Sequence, residues 1–260
     1  MAEIEAYSIA QPRKLHFDWI LPIFIHPGKT MAKIVEGATA VWLTPLLLLT
    51  AAAIVLTLVT APIKSQASQM TSPEMPQDYQ YWTPEQQQQY QEVMAAKSGP
   101  MFTYAIPIVG SLARVWLGWF LLAAVLHLVM TLSGGRSALT AVLNIVAWAS
   151  VPALIRYIVQ IISVLSTHQL VANPGLLGFA PVEPTGLVKF LSATLPFIDL
   201  YLFWLIGLTI VGLKALPGLS LPKIWASVLI AVVFLLALEA LPGFLGGSFS
   251  GMSVTQPFLF

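Results

Sequence analysis

The sequence predicts an all-α, polytopic integral membrane protein of five transmembrane helices, and three observations carry that reading. Of 260 residues, 57% are hydrophobic and only 9% charged, against about 25% charged in a soluble domain. Five apolar stretches each approach the roughly 20 residues that a ~30 Å hydrocarbon core requires of a helix. The polar residues between them gather into short turns and one long segment, 63–100. A water-soluble fold of this size could not hide so much apolar surface. A net charge of +1 offers no basic face to neutralise phosphates, so nucleic acid is excluded as a partner. Without cysteine there is no disulfide, thiolate metal site or thiol nucleophile.

The N-terminal segment 1–39 holds eight ionised side chains from Glu3 to Glu36. A cleaved secretory signal would carry its apolar run closer to the start, so the segment is expected to be retained on the cytoplasmic side. Within it, Leu15–Ile25 is apolar, aromatic and too short to span, which suits an interfacial position. His26-Pro27-Gly28 then turns the chain into an amphipathic stretch, 29–39.

The first span is expected over 40–61, with Pro45 in its opening turns, where a missing N–H matters least. In the extracytoplasmic segment 63–100, Thr83-Pro84-Glu85-Gln86 reads as a helix start, with Thr83 as N-cap and proline at the first position. A helix over about 84–97 follows, its glutamine run (86–89) forming a solvated face and Ser98-Gly99-Pro100 ending it. The stretch before it, with Pro73 and Pro76, reads as a loose loop. The second span falls within 104–132, and Ser133-Gly134-Gly135-Arg136 is a tight turn. The third, 138–165, is bent at Pro152.

Residues 166–188, with Pro174, Pro181 and Pro184, form an apolar loop, and Leu187–Leu195 a short interfacial helix. The fourth span, 197–213, opens on Asp199, packs Phe203 and Trp204 one turn further on, and approaches its neighbours closely through Gly207 and Gly212. Pro217-Gly218 turns the chain into the fifth span, 224–241. The membrane domain thus covers 40–244, and 245–260 is an uncharged extracytoplasmic tail. With the N-terminus inside, the inner segments hold seven lysines and arginines (Arg13, Lys14, Lys29, Lys33, Arg136, Lys214 and Lys223). The outer ones hold three (Lys64, Lys97 and Lys189), so the positive-inside rule favours this orientation.

Four ionisable residues lie in or beside spans: Arg114, Arg156, Asp199 and Glu239. On five alternating spans all four fall in the outer half of the membrane. Each alone at mid-bilayer would cost about 2.5–3.5 kcal/mol on insertion scales, so they are expected to pair. Two readings of that cluster stay open: ion pairs that fix helix packing, and a proton or solute relay. Arg156 could also snorkel to the surface. His127 is read as a hydrogen-bonded core residue, Asn144 and Gln160 as interhelical hydrogen-bond donors. No metal, cofactor or catalytic residue is expected. Gly247-Ser248-Phe249-Ser250-Gly251 fits the nucleophile-elbow pattern in letters only, because neither acid nor histidine follows it. Trp42 and Trp225 are placed at inner span ends, where interfacial rings belong.

Three pieces taken together resemble the Yip domain family, polytopic membrane proteins named for interacting with Ypt/Rab GTPases, in its bacterial branch. They are Ile23-Phe24-Ile25-His26-Pro27 with Thr30 and Ile34; Gly134-Gly135-Arg136-Ser137 with Ala147-Trp148-Ala149-Ser150-Val151-Pro152; and Ile198-Asp199-Leu200-Tyr201-Leu202-Phe203-Trp204 with Gly212-Leu213 and Lys223. Where the family often carries Tyr before Ser-x-x-Pro, this chain has Trp148 and Ala149. The resemblance implies a five-span bundle without known catalytic activity, in a bacterial cytoplasmic membrane, where the Rab-linked role of eukaryotic members does not carry over. Some bacterial members resemble accessory subunits of ABC-type exporters. The function expected is therefore a non-enzymatic subunit or scaffold whose partners are the lipid bilayer and other membrane subunits. A stand-alone transporter or channel using the charge cluster is the alternative.

Overall fold

The computed structural model describes residues 15–36, 39–70, 78–97 and 99–249. Arg13, Lys14, the Pro73–Pro76 stretch, Ser98 and the tail beyond 249 lie outside them. Among the described residues every regular element is helical. The helices are α1 (Ile20–Ile25), α2 (Pro27–Glu36), α3 (Leu43–Met70), α4 (Pro84–Lys97), α5 (Ile106–Leu132), α6 (Leu139–Ala149), α7 (Pro152–Thr167), α8 (Gly186–Thr194), α9 (Leu200–Lys214) and α10 (Leu221–Phe249). Four stretches are each long and apolar enough to cross a membrane: Leu43–Ala67, Met101–Leu132, Leu139–Thr167 and Leu221–Pro242. The chain is a multi-pass membrane protein of four spans, or five if one broken helix pair is counted as a span.

That broken pair is the main departure from the expected spans. In place of a continuous helix over 197–213, Gly186–Phe197 and Leu200–Lys214 meet at a bend of 76°. The break falls at Ile198-Asp199, both extended, and Asp199 becomes the N-cap of α9 by accepting a hydrogen bond from Leu202 N at 3.0 Å. An Asp cap satisfies one of the orphan amides of a helix start, which an Asp inside a helix cannot do. At 15 residues, α9 is about 22 Å long, less than the ~30 Å hydrocarbon thickness.

Two helices outrun their expected ends. α3 continues through Pro62 to Met70 rather than stopping near 61. Thr57 and Thr60 donate to the carbonyls of Ala53 and Leu56 in the preceding turns at 2.8 Å. α10 likewise runs on through Pro242 to Phe249. The third span is interrupted at Ser150-Val151, and Pro152 opens α7, where its missing N–H costs nothing.

α5, α6, α9 and α10 share a core of Leu122, Leu126, Ile145, Leu213, Val228 and Ala231. Gly212 is where α9 meets α6 and α2. A Cβ there would lie 2.5 Å from Ile145 Cγ2 and 3.2 Å from Met31 Sδ. Gly207 is different: it faces open space, so close approach rests on Gly212 alone. Gly212→Ala is expected to cost about 1–3 kcal/mol by overpacking. Ile145→Ala, introduced with it, should return part of that loss in a denaturation series, because it removes the atom that clashes.

The N-terminal helices are built into the bundle rather than resting on its surface. Ile23, Met31 and Ile34 are fully buried, in a cluster with Val41, Trp148 and Leu208. Asn144 fixes this arrangement by binding the linker before α3 instead of a neighbouring helix. Its Oδ1 accepts from Val41 N at 3.0 Å and its Nδ2 donates to Thr39 O at 2.9 Å. One turn along, Trp148 Nε1 donates to Val41 O at 3.1 Å. A linker between helices leaves backbone groups unpaired, and buried ones must find partners; two side chains at i and i+4 supply three. Trp42, just before α3, packs on Trp119 and Trp116, at centroid distances of 5.0 and 6.1 Å. Trp225 stays 46% exposed.

Outside the spans, Thr83 and Gln86 form a reciprocal cap on α4. Gln86 Oε1 accepts from Thr83 N at 3.0 Å and Thr83 Oγ1 accepts from Gln86 N at 3.4 Å. Gln87 donates to the carbonyls of Tyr79 and Trp82, beneath an aromatic cluster of Tyr79, Trp82 and Tyr90. The glutamine run is thus partly structural rather than only a solvated face. The Glu85 carboxyl is held below its ordinary range by a backbone amide and then by the Thr83 hydroxyl. A depressed acid stabilises the fold above its unfolded pKa of about 4.3 and loses that effect as pH falls through the folded value. Thr83→Ala should cost α4 about 1 kcal/mol, seen as faster amide exchange over 84–97. In the parent, protection of the same amides, relative to their intrinsic exchange at each pH, should fall only below the ordinary glutamate range.

Candidate functional site

Arg114, Arg156, Asp199 and Glu239 converge on the side of the bundle where α9 begins. Arg114 on α5 reaches across to Glu239 on α10, with Nε 3.2 Å from Oε1 and Nη2 3.0 Å from Oε2, a two-pronged pair. The Phe197 ring lies 4.8 Å from the centre of that guanidinium, a cation–π contact. Arg156, one turn into α7, places Nε 3.1 Å from Asp199 Oδ2 and donates from Nη2 to Pro196 O at 3.3 Å.

Asp199 therefore does two things with two oxygens: Oδ1 caps α9 and Oδ2 meets Arg156. Arg156 also does two things, pairing the acid on one side of the break and the carbonyl of Pro196 on the other. The kink is held from below by the loop before α8. Leu176 N donates to Leu195 O at 3.0 Å. Gly175, at φ +59°, lies so close that a Cβ would stand 2.7–2.8 Å from the carbonyl oxygens of Leu195, Pro196 and Ile198. Only glycine takes that backbone conformation without strain and leaves room for three carbonyls.

Two cavities flank the Arg114–Glu239 pair. The inner one, about 260 Å³, is bounded by α3, α5, α7, α9 and α10 and carries Ser150, Arg156, Tyr157 and Gln160 on its walls. The outer one, about 680 Å³, opens between α8, the loop at 177–184 and the end of α10. Gln160 makes no hydrogen bond among the described residues and faces the inner cavity rather than a helix partner. His127 lies apart from the charges on α5, its Nδ1 buried and without a hydrogen-bond partner, which differs from the hydrogen-bonded core residue expected. Phe203 does not pack under Asp199: it is 60% exposed, whereas Trp204 meets Phe24 edge to face at 5.3 Å.

Reasoning from sequence missed Pro196, Gly175 and the capping role of Asp199. An Asp directly before an apolar run is compatible with a helix cap, but the run continues on its other side, so the sequence alone does not separate cap from helix interior. At the opposite end of the bundle, Lys223 Nζ donates to Ser133 O at 2.8 Å, placing a cation against the carbonyl end of α5. Among the described residues, no group of three or more His, Cys, Asp or Glu could hold a metal ion.

The family model described as Yip1 domain matches residues 22–244 of the chain. No curated protein and no solved structure matches it.

Proposed function

Because the chain belongs to the Yip1 domain family, we propose that it acts as a non-enzymatic integral membrane subunit or scaffold of a membrane complex. One observation carries the reading: both arginines in the bundle are engaged in contacts that hold helices in place, Arg114 between α5 and α10 and Arg156 across the break. Charges used in this way serve a fixed framework on which partners assemble. The element from Tyr79 to Lys97, folded on its own cap and aromatic cluster, suits partner contact, with Tyr81 and Val93 exposed. An ABC-type exporter is the complex that the resemblance to accessory subunits points to, with the N-terminus cytoplasmic and Tyr79–Lys97 outside. Purification in mild detergent with mass spectrometry tests it. Stoichiometric membrane-protein partners are expected, and a monomer that brings none down contradicts the scaffold. Labelling of a single cysteine introduced at Gln88, from outside intact cells, tests the orientation.

A second reading, a stand-alone transporter or channel, is favoured by the inner cavity, whose wall carries Arg114, Arg156 and Glu239. Solute flux in proteoliposomes that is lost on alanine substitution of Arg114, Arg156, Asp199 and Glu239 supports it, provided the variant still folds. Flux that survives removes it.

A further inference from the structure

The inner cavity is lined by a polar stripe of α7 that the fold leaves partly without partners. Ala153, Arg156, Tyr157 and Gln160 share its wall, positions that fall on one face of a helix. Arg156 is engaged across the break. The Tyr157 hydroxyl and the Gln160 amide make no hydrogen bond among the described residues. An amide or hydroxyl taken out of water without a partner costs about 1–3 kcal/mol on mutational scales, so two of them on one space call for something polar to meet them. On α5, Gly118 lines the same space, and a Cβ there would meet nothing within 4 Å. At about 260 Å³ the cavity has room for roughly eight waters at ~30 Å³ each, or for one small solute.

The charges on the wall select against an ion. Arg114 is paired with Glu239 and Arg156 with Asp199, so cations and anions cancel, and a charged ligand would enter without a counter-charge. What remains is an amide with two donors and an acceptor, and a hydroxyl that does both. Their complement is small, neutral, and able to donate and to accept. We propose that the inner cavity binds one small neutral solute of this kind, a simple amide or polyol. Gln160 Nε2 and Oε1 and the Tyr157 hydroxyl hold it, and Gly118 leaves the room. The proposal rests on the second reading above and names the class of solute that the cavity takes. Both ion pairs stay closed in it, as fixed parts of the wall.

Single-cysteine labelling tests it, since the chain has no cysteine of its own. In the whole detergent-solubilised protein, Gly118→Cys is reacted with methanethiosulfonates bearing a neutral hydroxyethyl, a cationic ethylammonium or an anionic ethylsulfonate group. Each rate is divided by that of Gln88→Cys, on the exposed face of α4. The neutral reagent should enter at least about tenfold faster than either ion. Acetamide or glycerol at about 100 mM should slow that reaction at least about twofold, as a Kd at or below that concentration requires. Tyr157→Phe combined with Gln160→Leu, which keeps most of the volume and removes both hydrogen-bonding groups, should abolish the protection while Gly118→Cys still reacts. An inert Gly118→Cys overturns the proposal, and so does faster entry of either ion. Protection that the double variant leaves unchanged overturns it too, as does a reaction that neither solute slows, which would mark a cavity filled by water alone. Labelling reads occupancy, not passage. Protection without flux in proteoliposomes keeps the site and removes the transporter, whereas flux with an inert Gly118→Cys keeps the transporter and removes the site.

Discussion

Arg156→Met should destabilise the protein by about 3 kcal/mol, the low end for breaking a buried ion pair, or a fall of roughly 6–12 °C in melting temperature. The pair is well shielded, with side-chain exposures of 24% for Arg156 and 15% for Asp199. Methionine fills most of the same volume, so the loss is electrostatic rather than a cavity. It strands Asp199 Oδ2 and removes a donor from Pro196 O, and an unpaired buried charge costs more than the pair ever contributed. Melting of detergent-solubilised variants measures it. A shift under about 1 kcal/mol would mean that solvent already reaches the pair.

Gly175→Ala should cost about as much for a different reason. Its φ of +59° costs an L-residue about 1–2 kcal/mol. A Cβ 2.7–2.8 Å from three backbone carbonyls adds an overpacking cost of about 1–3 kcal/mol. The atoms in the way are main chain and cannot rotate aside, so the break itself would have to shift. Gly186 supplies the control, with φ +53° and nothing within 4 Å of its would-be Cβ. Gly186→Ala should cost only the backbone strain, about 1 kcal/mol. Equal losses for the two would show that the three carbonyls do not crowd position 175.

The difference between these two glycines marks the limit of what could be read in advance. Membrane class, the helix at 84–97, the turn at 133–136 and the interruption before Pro152 were legible because each rests on local signals: run length, a capping residue, a glycine, a proline. The break at 198–199 was not, because Phe197–Leu213 is an unbroken apolar run apart from Asp199. Apolar periodicity cannot say whether an acid lies inside a helix or caps it. What settles the matter is a partner 43 residues away in sequence, Arg156, together with a loop glycine at 175. Asn144 is the same case: a polar residue in an apolar helix is visible, but that it binds the backbone of residues 39 and 41 is a non-local fact. Gly207 and Gly212 could have been separated from sequence. Five positions at about 100° each put them roughly 140° apart, so one neighbour cannot meet both. The four ionisable residues were found by composition alone, since any charge in a membrane span stands out; how they divide into two pairs follows from the bend.

The central claim is that the Arg156–Asp199 pair is a structural pin across a broken helix. A double-mutant cycle on Arg156 and Asp199 tests it most directly, using Arg156→Met and Asp199→Asn, because asparagine can still cap α9. If the pair pins the break, the double variant should be more stable than the sum of the single losses predicts, with a coupling of about 1.5 kcal/mol or more. Additive losses, within about 0.5 kcal/mol, would contradict the claim and leave the two residues as neighbours that do not act on each other.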